Sequence, residues 1–141
     1  MKFAIVISRY NQNITQRLLK GALEAFSKAG INQTSIQTIW VPGAFEIPSL
    51  ALKLAKSKKY NAIVCLGCVL QGETPHNRYI SEAAANGILQ ASLSTGIPIT
   101  FGVLTPNTIG QANARSGKDS ANKGMEAAEA AMEMANLMGD A

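Results

Sequence analysis

The chain holds a single histidine, only two cysteines and a modest share of charge, 16% Asp, Glu, Lys and Arg. Each scarcity excludes something. Cys65 and Cys68 form a C-x-x-C pair, a spacing used for redox chemistry or zinc. Both lie inside the apolar run Ala62-Ile63-Val64-Cys65-Leu66-Gly67-Cys68-Val69-Leu70. In a strand, residues three apart face opposite sides, so these thiols cannot share a metal or close a disulfide. Inert buried thiols are the expectation. No apolar run approaches the length of a membrane span. The first apolar stretch, Met1 to Ser8, is too short for a secretory signal and ends at Arg9, which makes a cytoplasmic location the default. There is no arginine-rich stripe interleaved with aromatics, and so no sign of nucleic-acid binding. The net charge of +4 is compatible with small anionic substrates without demanding them. Lys53, Lys56, Lys58 and Lys59 gather where a helix should end, which is where cations suit the helix dipole.

What the chain has is apolar content, 47% of its 141 residues, enough for one compact domain spanning 1–141. The apolar positions alternate between two periods. Short continuous runs at Phe3–Ile7, Ile36–Val41, Ala62–Leu70 and Pro98–Leu104 read as buried strands. Between them, Ile14, Leu18, Leu19, Ala22, Ala25, Phe26 and Ala29 share one helical face. Asn13 and Gln16 resemble a capping box for that helix, and Gly30 a stop. A second helix carries Ile47, Leu50, Ala51, Leu54 and Ala55, with Pro48 in its first turn. A third runs from about Pro75, capped by Thr74, to Thr95 before Gly96. A short helical piece spans Asn107–Ala114. After a break at Ser116-Gly117 a last helix covers Asn122–Met138, its stripe of Ala127, Ala128, Ala131, Met134 and Ala135 permitting close packing. The order β-α-β-α-β-α-β-α-α implies an α/β fold: a three-layer, flavodoxin-like sandwich with a four-stranded parallel sheet, order 2-1-3-4, and helices on both faces.

Ligands of such sheets bind at the carboxyl ends of the strands. The third of those ends leads through Gln71-Gly72-Glu73-Thr74-Pro75 to the one histidine, His76, the only side chain whose unperturbed pKa lies near neutrality. His76 is therefore the candidate for proton transfer, against the plainer reading of a structural or exposed histidine. Gly72, Glu73 and Thr74 open a helix, where backbone N–H groups favour phosphate, although simple capping explains them too. Pro42 to Glu46 reads as a tight turn whose backbone groups can hold hydroxyls or a heterocycle edge, with Glu46 accepting from a polyol; the plain alternative is a connection with Phe45 in the core. Tyr10 can stack on a planar ring or be an ordinary half-buried tyrosine. Arg115 can take a phosphate bidentately or make a surface salt bridge. Two common uses of the fold are excluded. A phosphorylation receiver needs aspartates where Ser8-Arg9 and Gln71-Gly72 stand, and Tyr10-Asn11-Gln12-Asn13 is not a flavodoxin phosphate loop.

Taken together and in order, Ser8-Arg9-Tyr10-Asn11, Val41 through Pro48, Leu66 through His76, Phe101 through Thr105, Gln111 through Arg115 and Asn122 through Ala128 resemble the lumazine synthases of riboflavin biosynthesis. The resemblance covers nearly the whole chain. It implies condensation of 5-amino-6-ribitylaminopyrimidinedione with 3,4-dihydroxy-2-butanone 4-phosphate, giving 6,7-dimethyl-8-ribityllumazine, phosphate and water, with no metal and no redox cofactor. By the same resemblance Tyr10 stacks on the pyrimidine, Ala44, Phe45 and Glu46 hold the ribityl chain, and Lys123 lies near the pyrimidine. Gly72, Glu73 and Thr74 with Arg115 form the phosphate site, His76 transfers protons, and Phe101 comes from a neighbouring subunit. A homo-pentamer is thus the implied partner arrangement, beside the decamers and sixty-subunit shells the family also forms.

The sequence departs from the family pattern at Asn77-Arg78, where an aromatic and an acidic residue are usual, and at Gly117-Lys118-Asp119-Ser120-Ala121, where Gly-x-Lys-x-Gly is usual. Arg78, if close, would depress the His76 pKa. Competing readings are a lumazine- or flavin-binding module damaged by Arg78, and a structural shell former. The chain begins almost at its first strand, without the segment that adds a strand to a neighbour in many relatives, which counts against a shell.

Overall fold

A computed structural model describes residues 1–72, 75–119 and 121–140. Four strands, β1 (Phe3–Ser8), β2 (Ile36–Val41), β3 (Ala62–Cys68) and β4 (Ile99–Leu104), alternate with helices α1 (Gln12–Lys28), α2 (Ile47–Lys56) and α3 (His76–Thr95). A short α4 (Ile109–Ala114) and the long α5 (Lys123–Asp140) follow. All pairings are parallel and the order is β2-β1-β3-β4, as the alternation of periods implies. Among the described residues, no helix is long and apolar enough to cross a membrane.

Every residue of β1 and β3 is buried, because each of these strands has a strand on either side and helices on both faces. Period-two alternation sends Phe3, Ile5 and Ile7 with Val64, Leu66 and Cys68 to a core shared with α1 and α5. It sends Ala4 and Val6 with Ile63 and Cys65 to a core shared with α2 and α3. The two cysteines therefore do face opposite layers.

Several element ends differ from the sequence expectation. α1 starts at Gln12, so Asn13 lies inside it and forms no capping box with Gln16; the residue before the helix is Asn11, at φ 61. That left-handed conformation reverses the chain sharply, and Asn tolerates it better than most residues. The other end is as expected. Gly30, at φ 80, donates to the Ser27 carbonyl, and Ile31 to that of Phe26, closing a Schellman motif. β3 stops at Cys68 rather than Leu70, and β4 starts at Ile99 after Pro98. Thr74, the expected cap of α3, lies outside the described residues, and the helix begins at His76.

Small residues on α5 let it lie directly on α1. Ala127, Ala128, Ala131 and Ala135 are buried, whereas Met134, at 40% exposure, points outward rather than joining the stripe. At Gly124 the helices approach so closely that a Cβ would land on the Leu18 backbone carbonyl. Gly124→Ala must therefore push the helices apart, and it should cost about 1–3 kcal/mol, the usual range for overpacking. Urea unfolding checks this. An unchanged midpoint would contradict the packing described.

Candidate active site

β1 and β3 are neighbours, but their following helices leave for opposite faces of the sheet, which opens a crevice between the two strand ends. Pairing continues into the loops around it. Arg9 and Tyr10 donate backbone N–H bonds to the Val41 and Pro42 carbonyls at 2.8 and 3.0 Å. On the other side Val69 donates to Leu104 and Gln71 to Pro106, both at 2.8 Å. The loops after the strands thus extend the sheet, and a concavity of about 550 Å³ sits on them. That is room for a small organic ligand.

Its walls combine Tyr10 and Asn11 from the end of β1, Pro42 to Glu46 from the end of β2, Cys68 to Leu70 with Gly72 from the end of β3, and His76, Asn77 and Ile80 from α3. Tyr10 is 74% and Phe45 62% exposed, so neither is a core residue; Ala44 and Ile47 fill the core beside Phe45 instead. Both aromatic faces are free to receive a planar ring or cover a chain. Ala44 to Glu46 forms a 3₁₀ turn, whose leading backbone N–H groups lack partners within the turn. Glu46 closes that turn, its Oε1 accepting the Gly43 N–H at 2.9 Å. His76 is exposed on the first turn of α3.

Two side-chain amides fasten the end of β3. Asn11 Nδ2 donates to the Cys68 carbonyl at 2.9 Å and Asn77 Nδ2 to the Leu70 carbonyl at 2.7 Å. Reading Asn77 only as a departure overlooks this bond. Its signal in the sequence is a strong side-chain donor seven residues after a carbonyl that the strand ladder leaves over. Arg78 turns the other way. Its Nε pairs with Glu82 Oε1 at 3.1 Å on the exposed side of α3, and it takes no part in the walls of the concavity.

The remaining candidates gather elsewhere. Phe101, Arg115 and Lys123 line a separate concavity beside β4, with Gly102 to Thr105 and Glu126. Within one chain Arg115 lines this second concavity and Gly72 the first; Glu73 and Thr74 lie outside the described residues. Arg115 makes no ion pair among the described residues, and Lys123 Nζ meets Glu126 Oε2 at 2.9 Å. The backbone holding both cations is tied down, since Lys123 N–H donates to the Arg115 carbonyl at 2.8 Å. Buried Asn122 braces the same segment, donating to the Arg17 and Gly117 carbonyls and accepting from Met125 N–H. The first concavity, by contrast, has no Lys or Arg among its described lining residues.

The sequence profile described as 6,7-dimethyl-8-ribityllumazine synthase matches residues 1–139. Among solved structures, a de novo designed Rossmann fold protein is similar at a TM-score of 0.41 and 18% identity, over 79% of this chain and 90% of that one. That likeness is too distant to carry any argument about this chain.

Burial pushes both thiols up: Cys65 strongly, and Cys68, which borders the first concavity, to about 11. A raised thiol pKa leaves the protonated, unreactive form in place through neutral pH, and the thiolate gains ground only as pH approaches the raised value. Native protein at pH 8 should therefore react with iodoacetamide far more slowly than urea-unfolded protein. Fast native alkylation of Cys68, read by peptide mass, would contradict the assignment.

Proposed function

Because the chain belongs to the 6,7-dimethyl-8-ribityllumazine synthase family, transferases of riboflavin biosynthesis, we propose that it condenses 5-amino-6-ribitylaminopyrimidinedione with 3,4-dihydroxy-2-butanone 4-phosphate. The family match over residues 1–139 carries this reading, and the chemistry of the concavity supports it. Tyr10 stacks on the pyrimidinedione, and the turn of Ala44, Phe45 and Glu46 takes the hydroxyls of the ribityl chain. The substrate's own amine is the nucleophile, so no Cys or Ser nucleophile is required, in keeping with two thiols held protonated by burial. Imine formation, loss of phosphate and ring closure each move a proton, and His76 serves these steps. Holding two substrates together contributes much of the rate gain.

The phosphate-bearing substrate needs a cation, and the described walls around His76 offer no lysine or arginine. Phe101, Arg115 and Lys123 share one concavity. A neighbouring subunit that supplies Phe101 therefore supplies Arg115 and Lys123 with it. Gly72, Glu73 and Thr74 are the phosphate-binding residues we assign to the first chain. A ring with one such site at each subunit contact, a cytoplasmic homo-pentamer, is the assembly we assign.

Purified protein mixed with both substrates should accelerate lumazine formation, followed by absorbance, well above the spontaneous condensation. No acceleration would refute the synthase reading. His76→Ala should lower kcat by at most about 10²-fold, because proximity survives the loss of the proton carrier. Arg115→Ala should raise KM for the butanone phosphate by roughly tenfold or more while leaving KM for the pyrimidinedione in place. An unchanged KM for the phosphate substrate would remove Arg115 from the site.

A further inference from the structure

We propose that Asn77 is a positioning residue, whose side-chain amide, bonded to the Leu70 carbonyl, fixes the first turn of α3 and with it His76 against the end of β3. The proposal rests on the reading of His76 as the proton-transfer group. Its origin is a shortage of partners. Carbonyls alternate sides along a strand. Val69 and Gln71 turn toward β4, where their N–H groups find Leu104 and Pro106. Cys68 and Leu70 turn toward β1. That strand pairs with β3 only as far as Ile7 opposite Leu66, and the chain then leaves into α1. Two carbonyls are left over, and a half-buried acceptor without a donor is costly.

Asn11 satisfies the first of them and Asn77 the second. Each is next in sequence to a site residue: Asn11 follows Tyr10, and Asn77 follows His76. The stacking aromatic and the proton carrier are therefore both referenced to one strand end, two residues apart. Asn77 also lies against the loop that leads to His76, since a Cβ on Gly72 would stand 3.6 Å from its Nδ2. The amide thus bonds the strand end, stands close to Gly72, and sits on the helix. Arg78, the next residue, is drawn off to Glu82 and leaves the amide uncontested.

Two variants of the assembled protein separate positioning from mere support. Asn77→Asp keeps the shape but presents a carboxylate that cannot donate to the Leu70 carbonyl, and Asn77→Ala removes the group. Hydrogen exchange should quicken in peptides covering 69–80 and stay unchanged elsewhere. In both variants kcat should fall by roughly tenfold, the scale of a small misplacement of a reacting group, with KM for the pyrimidinedione held within about twofold. Unchanged kcat with quickened exchange would make Asn77 a structural residue only and overturn the proposal. Unchanged exchange in peptides 69–80 would overturn it as well. A wild type that does not accelerate the condensation would refute the synthase reading, and local quickening in the variants would then uphold the clamp without the activity.

Discussion

Pairing of β1 with β3 is the contact on which everything else depends. Phe3 through Ile7 lie opposite Ala62 through Leu66, and all of these residues are buried. Because α1 and α3 leave these strands toward opposite faces, the sheet cannot close over its own carboxyl end there. The crevice follows from topology before any site residue is considered. A one-residue slip of β3 against β1 would exchange its two buried faces. It would also carry Cys68 and Leu70 out of reach of the asparagines that hold them.

Charge divides the molecule's functional surface. Among the described residues, the crevice between β1 and β3 offers the aromatic faces of Tyr10 and Phe45, the turn of Ala44 to Glu46 with its carboxylate, and His76. The cations and a third aromatic stand beside β4, at the open edge of the sheet. Among the described residues, the first concavity has no lysine or arginine and the second holds Arg115 and Lys123. The buried amide of Asn122 and the backbone bond from Lys123 to Arg115 show that the cationic half is braced from below. Such bracing holds the backbone that carries Arg115 and Lys123 in one geometry.

Much of the fold was legible because its strands are short apolar runs and its helices carry clear apolar faces; the order 2-1-3-4 then followed from right-handed crossovers. The misreadings share a physical cause. Asn13 and Gln16 fit a capping pattern, but a positive φ at Asn11 starts the helix earlier, and dihedral angles are not visible in residue types. Val69 and Leu70 look like strand residues because they are apolar. They leave the strand because β1 has already turned away, a tertiary event. Tyr10, Ala44, Phe45, Glu46, Gly72 and His76 were legible as one group, since each follows a strand end. Arg115 and Lys123 were not separable from that group by sequence, because spacing along the chain does not say at which edge of the sheet a loop arrives.

In the function we propose, two half-sites on each chain complete one another only across a subunit contact. Mixed oligomers test it most directly. One chain carries Tyr10→Ala with His76→Ala, the other Phe101→Ala with Arg115→Ala, and the two are co-assembled in equal amounts. Random mixing within a ring leaves about a quarter of the contacts with two intact halves. Assayed with butanone phosphate well below the wild-type KM, where both parents are strongly impaired, lumazine synthesis should return to about that fraction of wild type. Mixed oligomers no more active than their parents would contradict it, because they would place the whole site within one chain.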